Sequence, residues 1–290
     1  MSTLFILGLI FLYSFQTLFC TLFNDRYTGS KAASPYVFCV VEAIAIPLVS
    51  LAFNGFRFAP SGLTVLLGVL NAAVLFVYNT SLIAAGRRGS YAFLNVMMLF
   101  GGILIPIIYT AIAYSEKPTA LQWIAIAVML AACFLMNRDD IKLSGTSPVY
   151  YLLCLALFVS NGAYGTLLKI QSNTAGDESR EMVMLTYFLM GVIAFGMLLR
   201  TEKKDTLKAF RFDGRSLLPL LLCLLSAASA INLLVYILPL VNTAVLYTTD
   251  NGGVLVLSCV YSVLIFKEKL TPSKLAGMIL AVASIVALSI

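Results

Sequence analysis

Between clusters of charge the chain runs apolar for about twenty residues at a time, and it does so ten times. This constrains the fold more than any motif does. A bilayer core about 30 Å thick is crossed by roughly 20 helical residues, and an isolated segment there satisfies its own backbone hydrogen bonds only as a helix. With 61% hydrophobic and 11% charged residues over 290 positions, the polar surface is too small to solubilise a globule. The spacing predicts helices over about 3–23, 35–53, 62–85, 90–114, 119–137, 148–171, 182–200, 216–238, 241–266 and 272–290. The expected fold class is therefore an all-α integral membrane protein with ten transmembrane helices and no soluble domain, a multi-pass protein of the cell (inner) membrane.

Several function classes drop out early. The first span has no Lys or Arg ahead of it and no small-residue cleavage pattern behind it, so it reads as helix 1 and not as a signal peptide. Histidine is absent, which removes Ser-His catalysis and His-containing zinc sites. The six cysteines all lie inside apolar spans without a C-x-x-C and read as small buried hydrophobes. No G-x-x-x-x-G-K-[ST] loop is present for ATP hydrolysis. Intramembrane aspartyl proteolysis needs two facing aspartates, and only Asp250 is mid-span. No cofactor, metal or enzymatic activity is expected, which leaves a secondary transporter, a channel or a non-transporting receptor.

The net charge of +6 needs no nucleic-acid partner, because nearly all of it sits at span ends, where lipid headgroups and topology account for it. One set of alternate loops collects Arg26, Lys31, Arg87, Arg88, Arg138, Lys142, Arg200, Lys203, Lys204, Lys208, Arg211, Arg215, Lys267, Lys269 and Lys274, and the other only Arg57, Lys117, Lys169 and Arg180. By the positive-inside rule the first set is cytoplasmic and both termini lie outside.

The chain is also built twice. Residues 89–137 and 241–289 align without a gap at a separation of 152, that of Glu116 and Glu268: Glu116-Lys117-x-Thr119 matches Glu268-Lys269-x-Thr271, and Leu94/Leu246, Gly101/Gly253 and Tyr109/Tyr261 also pair. Five spans precede the polar break 138–147 and five follow it. Residues 1–137 and 148–290 thus form two five-helix repeats, and an odd number of crossings inverts the second relative to the first. At the shared corner, Thr119 and Gln122 form a capping box, while Thr271 is the N-cap ahead of Pro272. The Glu-Lys pair accordingly marks a helix start and need not touch a substrate.

At these residues the chain resembles the drug/metabolite transporter (DMT) superfamily in its ten-helix EamA-type form. Those proteins carry G-E-[RK]-x-[TS] late in each half, followed by an apolar helix with a glycine, here Gly277; the glycine before the Glu is Ser115 in one copy and Lys267 in the other. The resemblance implies helices 1–4 and 6–9 around a central cavity, with helices 5 and 10 outside as dimer contacts in small relatives. It implies alternating-access transport of a small organic metabolite (amino acid, sugar nucleotide or drug-like solute) coupled to a proton or counter-substrate, by a monomer or homodimer. It also implies cytoplasmic termini, against the charge count.

Intramembrane polar groups are where such a function is sought, since a mid-helix carboxylate costs about 2.5–3.5 kcal/mol. Asp250 lies near the middle of helix 9, and its repeat counterpart is Met98, so the fold itself does not require an acid there. Tyr247, Asp250 or Asn251, Ser258 and Tyr261 form a polar stripe on one helical face; the acid is either hydrogen-bonded between helices or used for binding or proton coupling. Helix 4 carries the related stripe Asn95, Gly102, Pro106 and Tyr109. Gly101-Gly102 and Gly252-Gly253 either pack helices closely or, with Pro106, form a hinge. Glu42 in helix 2 either pairs with a basic group or carries a proton. Lys169 either snorkels to the interface or meets an anionic substrate, and Tyr164 lies just before it. Asn79 and Asn232 hold near-equivalent places in the two halves, with Tyr78 beside the first; Gln16 completes the set.

Overall fold

The computed structural model describes residues 2–30, 32–86, 88–141, 147–265, 267 and 269–289. Its ten α-helices are α1 (Ser2–Arg26), α2 (Ser34–Phe53), α3 (Gly62–Gly86), α4 (Tyr91–Ala113), α5 (Ala120–Arg138), α6 (Pro148–Thr174), α7 (Ser179–Glu202), α8 (Gly214–Ile237), α9 (Thr243–Leu264) and α10 (Pro272–Ser289). The helix starts have local causes. Thr119 accepts from Gln122 N at 3.2 Å while the Gln122 side chain accepts from Thr119 N at 2.9 Å, closing the capping box. Asp213 caps α8 through Ser216 N at 2.9 Å, and Asn242 caps α9 through Ala244 N at 2.9 Å. Pro35, Pro148 and Pro272 occupy first turns, where a missing N–H leaves no bond unmade. Of the second corner, Glu268 lies outside the described residues, as do Lys31, Arg87 and Lys142 of the charge count.

Eight of these helices are long and apolar enough to cross a membrane by length and composition, and α10 is a shorter apolar helix. α9 carries Thr248-Thr249-Asp250-Asn251 in its middle, with the first three of these buried. Large apolar side chains point outward along the bundle, among them Leu48, Ile112, Leu152 and Leu218, each at least 60% exposed. Water would not tolerate such a belt; lipid does. The protein is an integral, multi-pass membrane protein.

Successive helices run up and down, so the loops after α1, α3, α5, α7 and α9 gather on one face, which carries most of the basic residues. Tyr27 donates to the Ala209 carbonyl at 2.7 Å, Ser90 to that of Asp140 at 3.0 Å, and Lys274 pairs with Asp140 at 3.0 Å. On the opposite, base-poor face Asn54 donates to Glu181 and Ser61 to Glu178, both at 2.8 Å.

The main helix packings are α2 on α7, α1 on α8, α3 on α6, α5 on α10, α4 on α6, α1 on α9, α3 on α7, α4 on α9, α2 on α8, α9 on α10 and α4 on α5. Exchanging the first five helices for the last five returns the same set, the packing of two inverted halves about an axis in the membrane plane. Small residues permit the closest approaches, since lipid offers helices no hydrophobic reason to associate. A Cβ on Gly101 would fall on the Phe158 carbonyl, one on Gly162 on Ile105, and one on Gly191 on the Ala43 methyl.

The axis sets the register. Ala43 and Gly191 meet across it, and at their separation of 148 the buried residues Cys39, Glu42, Ala43, Ile46 and Ser50 of α2 align with the buried Tyr187, Met190, Gly191, Ala194 and Leu198 of α7. At a separation of 152, Thr64, Leu67, Asn71, Ala72 and Leu75 of α3 align with Ser216, Pro219, Cys223, Leu224 and Ala227 of α8, all buried. In that register Asn79 aligns with Ile231 and Asn232 with Thr80, so the two asparagines lie one residue out of step.

Candidate functional site

Five tyrosines from five helices converge near the middle of the bundle: Tyr13 (α1), Tyr78 (α3), Tyr164 (α6), Tyr187 (α7) and Tyr247 (α9). Tyr13 lies within electrostatic reach of Tyr164, Tyr247 and Tyr78, and the hydroxyls of Tyr164 and Tyr187 are 3.4 Å apart. Tyr247 donates to the Gly165 carbonyl at 2.8 Å. It reaches that carbonyl because Gly165 has no side chain; a Cβ there would sit 3.1 Å from the ring. Two carboxylates flank the group. Asp250 faces Tyr13 and Tyr247, and Glu42 faces Tyr164 and Tyr187. Their residues are 8% and 4% exposed. Among the described residues neither has a basic partner, and Asp250 Oδ1 has no hydrogen-bond partner at all. Two such groups are costly to bury.

Their repeat counterparts are both methionines: Met98 for Asp250 and Met190 for Glu42. Each methionine sulfur accepts from a neighbouring residue of α3, Met98 from the Tyr78 hydroxyl at 3.1 Å and Met190 from the Asn79 amide at 3.3 Å. The matching positions of α8 are Ala230 and Ile231, which have nothing to donate. α3 thus supplies polar donors to the thioethers, where the matching positions of α8 are apolar.

The remaining sequence candidates divide. Asn251 donates to the Tyr247 carbonyl at 2.8 Å, and its Oδ1 borders Gly102 together with the amide of Asn161. Asn95 bonds to Asn137 at 3.4 Å near the basic face, and Asn232 to Ser50 at 2.9 Å. Gln16 is half-buried on α1, where its backbone carbonyl accepts from the Cys223 thiol at 3.4 Å. Gly252 packs on Met129 and Gly253 on Ile10, so with Gly101 the glycines serve close packing; Pro106 is buried within an unbroken α4. Tyr13, Tyr187 and Asn161 were not singled out from the sequence. The two tyrosines lie in runs of Phe and Leu indistinguishable from lipid-facing stretches. Asn161, whose amide donates to the Met98 carbonyl at 2.8 Å, did carry a signal in Asn161-Gly162 at mid-span.

Lys169 neither snorkels nor stands free. It is 3% exposed, lies 3.0 Å from Glu116 and donates to the Leu238 carbonyl at 3.3 Å. Glu116 also accepts from the Thr243 hydroxyl at 2.7 Å and the Thr243 N–H at 3.3 Å, so it caps α9 and grips α6, while Lys169 ties the pair to the end of α8. Burial opposes ionisation of Glu116, but the Thr243 hydroxyl and the Lys169 ammonium outweigh it and hold the carboxyl below its ordinary range.

Residues 148–290 match the model of the EamA-like transporter family. The chain belongs to that family. No curated protein matches, whereas a solved crystal structure superposes with a TM-score of 0.78 over 99% of this chain and 96% of its own, at 15% identity, and shows the fold alone. EamA-like proteins form a transporter family, so the tyrosine centre belongs to a transporter of the DMT superfamily. Membership also gives the corners a physical reading. The position of the EamA-type glycine before the Glu is taken by Ser115 and Lys267, and both adopt left-handed backbone, with φ of +57° and +56°. Glycine suits that conformation; here two L-residues bear it.

Proposed function

We propose that the chain is a secondary carrier that moves a small organic solute by rocking residues 1–137 against 148–290 about the tyrosine centre. Asp250 and Glu42 take up the solute or a coupling proton. The observation that supports this best is the pair of buried carboxylates without basic partners, placed where the two halves meet and answered in each case by a methionine. A structural acid would be paired or hydrogen-bonded; a binding group is left available for its ligand. The Glu116–Lys169–Thr243 contact closes the base-poor face, because it ties α6, α8 and α9 to the α4–α5 corner. Gly101 meets Phe158 where its repeat mate Gly253 meets Ile10, and at that separation of 148 Thr21 takes the Lys169 position in the other half and offers no charge.

Reconstitution into liposomes tests the reading. The purified protein is expected to accelerate uptake of a metabolite with saturation and with stimulation by the same solute on the far side. Flux that rises linearly with concentration, without counterflow, would identify a pore, and no flux for any solute would leave a non-transporting receptor.

A further inference from the structure

Resting on that reading, we infer that the solute is a small organic ammonium ion, held by Asp250 and Glu42 against the faces of the surrounding tyrosines, and not a phosphorylated or carboxylated anion. The charge inventory of the interior carries this. Among the described residues Lys169, in the last two turns of α6, is the Lys or Arg farthest from a helix end, and Glu116 already neutralises it at 3.0 Å. Arg180 stands in the first turn of α7 at the base-poor face, away from the tyrosines, with its Nε buried and without a hydrogen-bond partner, and the other described Lys and Arg lie at helix ends or in loops. A phosphate is normally met by Arg, Lys or the open amides of a helix start. The start of α9 is the one tied to this region, and the Glu116 carboxylate already fills it. An anion that reached the tyrosine centre would therefore find two carboxylates without basic partners and, among the described residues, no cation beside them. An ammonium ion finds the opposite: Asp250 Oδ1 without a partner, a second carboxylate across the cluster, and aromatic faces whose quadrupoles attract positive charge. The neutral amides of Asn251 and Asn161 beside Gly102 add polarity without a competing charge.

The experiment uses the full chain, purified in detergent for binding and reconstituted for flux. The probes are tetramethylammonium, choline and benzyltrimethylammonium, set against benzenesulfonate, glucose 6-phosphate and zwitterionic alanine. At least one ammonium ion is expected to bind saturably and to be carried, with affinity reduced about tenfold or more in Asp250→Asn and kept within about twofold in Met98→Leu, which controls for folding. Flux of the sulfonate, the sugar phosphate or alanine, with all three ammonium ions inert, would overturn the charge assignment and leave the carrier reading standing. Ammonium binding that is unchanged in the Asp250→Asn, Glu42→Gln double variant would overturn the assignment of the site. If no probe of either sign binds or moves, the carrier reading and this inference fall together.

Discussion

Met98 and Asp250 hold the same place in the two halves, as do Met190 and Glu42, and their neighbours differ as sharply as they do. Each methionine is consumed by packing, its sulfur taking a donor from Tyr78 or Asn79. Each acid faces tyrosines and is offered no base among the described residues. The inverted halves agree in the register of their buried residues and in their main helix packings. They disagree at the residues nearest the centre.

The comparison breaks most directly through transport. Asp250→Asn keeps the shape and removes the charge, and should lower the initial flux of the carried solute by about tenfold or more. Met98→Leu should change it by less than about twofold, with both proteins melting as folded species. Equal flux from the two variants would remove Asp250 from the site.

Imposing the missing symmetry sharpens the same contrast. Asp250→Met and Glu42→Met each delete a buried carboxylate whose insertion costs about 2.5–3.5 kcal/mol, so each should raise the melting temperature while abolishing transport, the usual opposition of stability and function. A fall in melting temperature would show that the acid supports the fold through contacts the packing does not reveal.

The base-poor latch differs from the centre in being a satisfied ion pair. Lys169→Met leaves the half-buried Glu116 against Thr243 without its cation and should destabilise the protein by about 1 kcal/mol, with part of that recovered in the Lys169→Met, Glu116→Gln double variant. Because the Glu116 carboxyl is held below its ordinary range, its contribution is complete above the unfolded value of about 4.3 and is lost as pH falls through the lower folded one. The gap in melting temperature between the native chain and Glu116→Gln should therefore be constant from pH 8 to 5 and close below about pH 4. A gap that closes instead on raising the pH would contradict the pairing.

Much of the fold could be read from the chain, because span length, capping residues and loop charge are local properties. The ten helices end within three residues of the spans read from hydropathy, and Thr119, Gln122 and Pro272 act where the corner motif places them. The centre was half visible. Asp250 and Glu42 stand out because acids are expensive in lipid, and the 152-residue repeat exposed Met98. The match of Glu42 to Met190 stayed hidden, since α2 and α7 follow a 148-residue register that no shared motif announces. Lys169 was ambiguous for a related reason: its partner Glu116 is far along the chain and looked fully accounted for by the helix start beside it. Tyr13 and Tyr187 could not be told from lipid-facing aromatics until the helices that surround them were in place.

The smallest expected effect tests where the halves agree. Ser115 and Lys267 both carry positive φ at the turn out of α4 and α9, at the position where the EamA-type corner has glycine. A left-handed residue with a Cβ costs about 1–2 kcal/mol, and glycine returns part of that as unfolded-chain entropy. Ser115→Gly and Lys267→Gly should each stabilise the protein by about 1 kcal/mol or less, by equal amounts, and together additively, since the two corners lie on opposite faces of the membrane. Transport should be unchanged, because neither corner residue reaches the tyrosines. Unequal effects on melting would mean that the two turns, alike in backbone, differ in what their side chains hold. For Ser115 that would point to the neighbouring Glu116 latch, which α9 feels directly through Thr243.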